Sequence, residues 1–154
     1  MTVTVRRLAV GDEGAVQRLS LDDARFDERS ASARPRTPHT IESAREFLAS
    51  EKTFQLAGFA GGEPVGHLLA YELIRRHGDG KTMLVYEIGV RDDHRRAGVG
   101  TALFDELRRI CRRRGISRAF VITNESNEPA MDFYRSQGGK RQAADDVVFD
   151  FDWP

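Results

Sequence analysis

The run Val90-Arg91-Asp92-Asp93-His94-Arg95-Arg96-Ala97-Gly98-Val99-Gly100-Thr101-Ala102-Leu103 decides the fold. Before it, Met83 to Val90 is the most strand-like segment of the chain and is expected to be central in a sheet. After it, Val99, Leu103, Leu107, Ile110 and Cys111 form one apolar stripe at helical spacing, with Gly115 placed to close the helix. A strand, a basic glycine-containing loop and a helix in succession bring several backbone N–H groups and a positive helix end to one point, and such a point binds an anion. Gly98 and Gly100 allow phosphate oxygens close to the backbone, and Arg95 and Arg96 add charge-assisted hydrogen bonds. The spacing meets neither the nucleoside triphosphate nor the dinucleotide glycine motif. The other reading is that the glycines only let a helix pack close to a sheet, with the arginines on a solvated face.

Outward from this run, Thr2 to Leu8 reads as a strand, and the helix from Asp12 carries Ala15, Val16 and Leu19 before fraying near Phe26. Ser30 to His39 is a proline-containing loop, and Thr40 caps a second helix with Ile41, Ala44, Phe47 and Leu48 on one face, ending near Ser50. Phe54 to Ala60, Gly61-Gly62-Glu63 and Val65 to Ile74 form a hairpin. Beyond the central helix come a short strand, Arg118 to Thr123, a helix from Asn127 to Gln137 ended by Gly138-Gly139, and a closing strand from Val147 to Trp153. The order β-α-α-β-β-β-α-β-α-β describes an α+β protein, residues 1–154 as one domain, with an antiparallel first half and parallel neighbours in the second.

Composition removes several classes. The chain has 154 residues, with 24 Lys plus Arg against 24 Asp plus Glu, so no global field draws nucleic acid or anionic lipid. One cysteine, Cys111, excludes an intrachain disulfide and argues against a zinc cage, and no His/Asp/Glu spacing suggests a metal. A signal peptide and an apolar run long enough for a membrane helix are both missing from the sequence, so a cytosolic protein is expected. Arg108, Arg109, Arg112, Arg113 and Arg114 sit on the solvent face and C-terminal end of one helix, where cations offset the dipole, and read as surface rather than as an RNA patch. Cys111, on the apolar stripe, reads as a small core residue.

Arg95-x-x-Gly98-x-Gly100, after a strand ending Ile88-Gly89-Val90, resembles the coenzyme A pyrophosphate loop of the GNAT superfamily of N-acetyltransferases. Asn127-x-x-Ala130-x-x-x-Tyr134, followed by Gly138-Gly139, is similar to that family's second signature. The resemblance implies a mixed, mostly antiparallel sheet, splayed at the coenzyme site and flanked by about four helices, with acetyl-CoA as cofactor. Tyr86-Glu87-Ile88-Gly89-Val90, His94-Arg95-Arg96, Glu128-Pro129-Ala130 and the tail Asp145 to Asp152 further resemble the aminoglycoside 3-N-acetyltransferases that modify gentamicin.

By that resemblance, Glu87 is the base that takes a proton from the acceptor amine, and Tyr134 donates to the departing thiolate. Coenzyme contacts fall on Ile88, Gly89, Val90, Arg95, Arg96, Ala97, Gly98, Val99, Gly100, Thr101, Asn127 and Tyr134, with Gly89 at the bulge that splays the strand. The structural alternatives are a salt-bridged Glu87, a core Tyr134 and an Asn127 that caps its helix. A polycationic acceptor calls for carboxylates, and Asp22, Asp23, Phe26, Tyr86, Glu87, Glu125, Asp145 and Asp146 are the candidates, with Asp27 and Glu128 nearby. The acid at position 87 is glutamate where those enzymes usually carry aspartate, and residues 124–128 are less densely acidic. Acetylation of a peptide N-terminus, a lysine or a polyamine is the alternative within enzymes, and a non-catalytic acyl-CoA-binding domain is the alternative outside them. The aromatic tail, Phe149, Phe151 and Trp153, either pairs across a homodimer or completes the core.

Overall fold

The computed structural model describes residues 2–21, 37–78, 80–149 and 151–153. Asp22, Asp23, Phe26, Asp27 and residues 30–36 of the loop expected over Ser30–His39 lie outside the described residues. The chain divides into two compact units, Met1–Ile122 and Thr123–Pro154.

The first unit holds β1 (Thr4–Arg7), α1 (Glu13–Leu21), α2 (Ile41–Ala49), β2 (Thr53–Ala60), β3 (Glu63–Ile74), β4 (Lys81–Val90), a 3₁₀ turn (Asp92–His94), α3 (Val99–Arg113) and β5 (Ala119–Val121). The sheet order is β1-β2-β3-β4-β5. The first three pairings are antiparallel and β4–β5 is parallel, joined through α3. This is the mixed α+β sheet expected of the GNAT fold, with β4 interior and β3 at the centre.

Strand alternation sorts the apolar residues onto two faces. Phe54, Leu56, Leu68, Ala70, Met83 and Val85 pack with Val99, Leu103, Leu107 and Ile110 of α3. Ala57 lies on the other face with Leu8, Ala15, Val16, Leu19, Ala44 and Leu48, so α1 and α2 cover that side. The helix ends are set locally. Thr40 and Ser43 form a reciprocal capping box at the start of α2, with hydrogen bonds of 3.0 and 3.1 Å. Gly115, at φ +68°, closes α3, and the Ile116 amide returns to the Cys111 carbonyl at 2.8 Å while its side chain enters the core. Gly61 and Gly62, both at positive φ, make the β2–β3 turn.

The second unit holds α4 (Glu128–Ser136). The closing strand expected over Val147–Trp153 is not formed by the described residues: Val147, Val148, Phe149, Phe151 and Trp153 are all more than two-thirds exposed. The alternation itself is real, since the Phe151 and Trp153 rings stack at 5.8 Å on one side of the chain. A two-residue period gives a segment two faces but no partner for its N–H and C=O groups, and a strand requires that partner.

Candidate active site

Across the β3–β4 ladder Leu69 stands opposite Glu87 and Ala70 opposite Val85, which leaves Tyr86 as one extra residue on β4. This is a β-bulge, and it shifts the phase of the strand. Before it Met83 and Val85 face the α3 core; after it Ile88 and Val90 do. Tyr86 and Glu87 are adjacent in sequence, yet both come to the opposite face. Tyr86 meets the Tyr71 ring edge-on at 5.6 Å, and Glu87 opposes Leu69. The β4–β5 ladder runs only from Met83 to Val85, so the two strands part company where the bulge begins.

The bulge is therefore three residues before Gly89, the position expected for it. Gly89 pairs in ordinary register with His67. Glycine tolerates a bulge, but a bulge in right-handed backbone does not require glycine, so residue type alone did not locate it.

The loop after β4 is held by its own charges. Asp93 takes Arg91 at 2.6 Å and His94 at 2.7 Å, and these two hydrogen bonds hold its carboxyl far below the usual range. Arg95 pairs with Asp92 at 2.7 Å and donates through Nε to the Val90 carbonyl at 3.3 Å, so this guanidinium, expected on phosphate, is here committed to the loop. Arg96 adopts φ +61°, left-handed backbone that costs a side-chain-bearing residue about 1 kcal/mol or more. Gly98 at φ +80° is the N-cap of α3, with no side-chain cap and no acid in the first turn. The positive helix end thus has no carboxylate in its own first turn to offset it.

Ala97 and Thr101 are exposed and Gly100 half-buried. Val99 is 1% exposed and locked into the core, and Ile88 and Val90 pack against that core, so these three can offer a ligand only their main chain. What seats Val99 carries no signal in the sequence alone. Gly58 and Gly66 are register partners on β2 and β3, and a Cβ on Gly66 would stand 2.6 Å from Val99 Cγ1. Tyr71 was also missed; its signal was its place two residues along β3 from Leu69, on the face Glu87 occupies.

In the second unit Asn127 is the N-cap of α4, its Oδ1 accepting from the Ala130 amide at 3.4 Å, so the capping alternative for it is observed. Tyr134 is half-buried and packs edge-on with Phe133 at 5.6 Å. Burial pushes its phenol up to about 12. Gly138 at φ +87° ends the helix, and the Gly139 amide donates to the Tyr134 carbonyl at 2.9 Å. Glu125 is paired with Arg141 at 2.9 Å, and Asp145 and Asp146 are exposed.

The arginines of α3 divide. Arg108 pairs with Asp105, and Arg109 and Arg113 with Glu106, as a solvated face would. Arg114 departs from that reading: it donates through Nε to Glu72, a buried carboxylate that also takes Lys81 at 3.3 Å. Cys111 packs against the core, and burial raises its thiol, as suits a structural cysteine. Among the described residues, no group of three or more His, Cys, Asp or Glu could hold a metal ion, and no helix is long and apolar enough to cross a membrane.

The mixed sheet thus opens beside a bulged strand, and a glycine-bearing loop feeds an uncapped helix end. The family model described as the acetyltransferase (GNAT) family matches residues 17–138, and the chain belongs to that family. Members use acetyl-CoA as acetyl donor. No curated protein matches the chain in sequence. Among solved structures it is similar to HMB0005, an aminoglycoside acetyltransferase from an uncultured soil metagenomic sample, at 30% identity over 100% of this chain and 99% of that one, TM-score 0.76. It shares its fold with the soil metagenomic aminoglycoside acetyltransferase meta-AAC0020 in complex with sisomicin, at 21% identity over 99% and 96% of the two chains, TM-score 0.78. It also shares its fold with a ribosomal-protein-alanine N-acetyltransferase from Brucella melitensis biovar Abortus 2308, at 21% identity over 99% and 100%, TM-score 0.78.

Proposed function

We propose that the chain transfers the acetyl group of acetyl-CoA to an amine of an aminoglycoside, the 3-amino group by the resemblance noted above, through direct attack in a ternary complex. The observation that carries this reading is the bulge that sets the half-buried Glu87 on the sheet face away from α3, on the strand that leads into the loop at Arg95–Gly100. The 30% likeness to HMB0005 over the full length of both chains supports the acceptor class.

The amides of the loop and of the first turn of α3, with Arg96, hold the pyrophosphate, and Arg95 joins them by leaving Asp92. Past the bulge, the main chain of Ile88, Gly89 and Val90 runs beyond the last residue that β5 pairs, and offers the coenzyme arm an extended edge. Asn127 adds a hydrogen bond to that arm beyond its capping role.

An alkylammonium, with a pKa near about 10, must lose a proton before it can attack. Glu87 takes it; the amine nitrogen then bonds to the thioester carbon, the C–S bond breaks, and the second nitrogen proton passes to the departing sulfur while Glu87 releases the first to solvent. The products are the acetamide, coenzyme A thiol and one proton. Tyr134 hydrogen-bonds the departing sulfur. With its phenol pushed up to about 12 by burial, above the range of an ordinary thiol, complete transfer to sulfur is uphill. Tyr134 therefore serves best as a fixed donor to developing negative charge. Tyr86, Glu125, Asp145 and Asp146, with Asp22, Asp23 and Phe26, are assigned to the acceptor; Glu125 must first give up Arg141.

The test is thiol release from acetyl-CoA with gentamicin, a short peptide bearing a free N-terminus, and spermidine in parallel. Saturable release with gentamicin, and a product heavier by one acetyl group, is expected. Release with the peptide or spermidine alone would overturn the acceptor and leave the chemistry in place.

A further inference from the structure

We infer that Tyr71, together with Tyr86, forms an aromatic corner that holds the acceptor's ammonium group against Glu87. The inference rests on the proposed reading of the chain as an amine acetyltransferase, and it adds a positioning residue which neither signature motif contains.

Three observations on one sheet face carry it. The bulge turns two consecutive residues, Tyr86 and Glu87, to the same side of β4, where a regular strand would separate them. Tyr71 comes to that side from β3, since its neighbours Leu68 and Ala70 face the α3 core and Tyr71 lies one step beyond Ala70. The two rings meet at 86° with centroids 5.6 Å apart. An edge-on pair does not bury both rings face to face as a stacked pair would, and a tyrosine face beside a carboxylate is what a cation prefers.

The Tyr71 phenol is raised above its ordinary value, first by burial, which opposes a charge of either sign, then by its electrostatic coupling to Tyr86 and Glu87. The Glu87 carboxylate, which opposes a phenolate there, favours an ammonium in the same place. Tyr71 is half-buried and Tyr86 is 61% exposed, so the corner has one fixed wall and one accessible wall. The fixed wall orients the amine, and Glu87 receives its proton.

The experiment separates the corner from the catalysis. Choline and its uncharged analogue, in which a quaternary carbon replaces the nitrogen, are titrated into the full chain while the Gly89 amide and the tyrosine ring resonances are followed by NMR. The corner predicts that choline binds about three- to tenfold tighter than the analogue. Tyr71→Phe should keep that preference and Tyr71→Leu should remove it. Tyr86→Leu, at an exposed residue, should weaken the preference without disturbing the fold. Equal binding of the two probes, or a preference that survives both leucine variants, overturns the inference. Choline discrimination without amine-dependent thiol release would sink the acetyltransfer reading and leave the corner standing; gentamicin turnover without discrimination would do the reverse.

Discussion

Val99 sits on Gly66 with no room for a methyl group between them: its Cγ1 lies 2.6 Å from where a Cβ of residue 66 would stand, and Leu103 Cδ1 lies 3.2 Å from the same point. Gly58, the register partner of Gly66, gives Val99 a second gap at 3.3 Å. Two glycines side by side on adjacent strands therefore form a seat for the first turn of α3, and the depth of that seat fixes where the uncapped helix end, proposed to hold the pyrophosphate, stands.

Gly66→Ala should destabilise the protein by about 1–3 kcal/mol, because Val99 is β-branched and has little rotamer freedom with which to yield. It should also weaken coenzyme A binding by lifting the helix start. Gly58→Ala, with 0.7 Å more space, should do less on both counts. Urea denaturation and calorimetric titration of coenzyme A give the two readouts; a Gly66→Ala protein with wild-type stability would show that Val99 is not held there.

Arg96 combines charge with strained backbone, and two substitutions separate them. Arg96→Ala and Arg96→Gly both remove a charge-assisted contact to pyrophosphate and should weaken coenzyme A binding equally, by roughly 10- to 100-fold. Only glycine relieves the left-handed geometry, so Arg96→Gly should be about 1 kcal/mol more stable than Arg96→Ala. Equal stability of the two variants would mean that the residue leaves φ +61° in solution.

Asp92 holds Arg95, the guanidinium proposed for the pyrophosphate. Asp92→Asn removes that hold and one negative charge beside the proposed anion site, so coenzyme A should bind about two- to fivefold tighter at low salt. The gain should shrink as ionic strength rises, since both partners are half exposed. Tighter binding that persists in high salt would point to a change of loop shape rather than to charge.

The buried Glu72 makes a pH prediction. Hydrogen bonds from Arg114, and to a lesser degree from Lys81, hold its carboxyl below the ordinary range against an opposing effect of burial. A depressed carboxylate stabilises the fold fully above its unfolded pKa of about 4.3, and that contribution is lost as pH falls through the lower folded value. Glu72→Gln should therefore be less stable than wild type by about 2 kcal/mol at neutral pH. The difference should narrow in acid, and thermal melts between neutral pH and pH about 3 follow it. A difference that stays constant would place the loss in packing instead of charge.

Element order could be read from the sequence because each helix and strand carries its own signal: the apolar stripe of α3, the cap at Thr40, the glycine pair at the hairpin. Features that depend on a partner elsewhere were not legible. The bulge at Tyr86 is a mismatch between two strands and exists in neither alone. The Gly58–Gly66 seat requires knowing that the two residues are register partners, and Arg114 reads as one more surface cation until Glu72 is placed 42 positions away. The Val147–Trp153 segment failed in the opposite direction, with strand periodicity and no ladder among the described residues. At the loop, residue types led to the expectation of an anion site, while the Asp92–Arg95 and Asp93–Arg91 pairs became visible only in three dimensions.

Glu87 and Tyr134 are expected to leave different signatures in the kinetics. Glu87→Gln removes a base that collects a proton from an ammonium with pKa near about 10, so its rate should fall by about 10²- to 10⁴-fold at low pH. The loss should shrink as pH rises, because a growing share of the acceptor then arrives already deprotonated. Tyr134→Phe should lower kcat with little change in coenzyme A affinity, since the contact to sulfur strengthens only as charge develops there. With its phenol at about 12, Tyr134 stays protonated through the usual assay range, and the wild-type profile should show no alkaline limb that this variant abolishes. A Glu87→Gln deficit that is flat across pH would remove Glu87 as the base and leave it a binding group for the ammonium. A Tyr134→Phe enzyme with unchanged kcat would return Tyr134 to the edge-on packing with Phe133 in which the structure already places it.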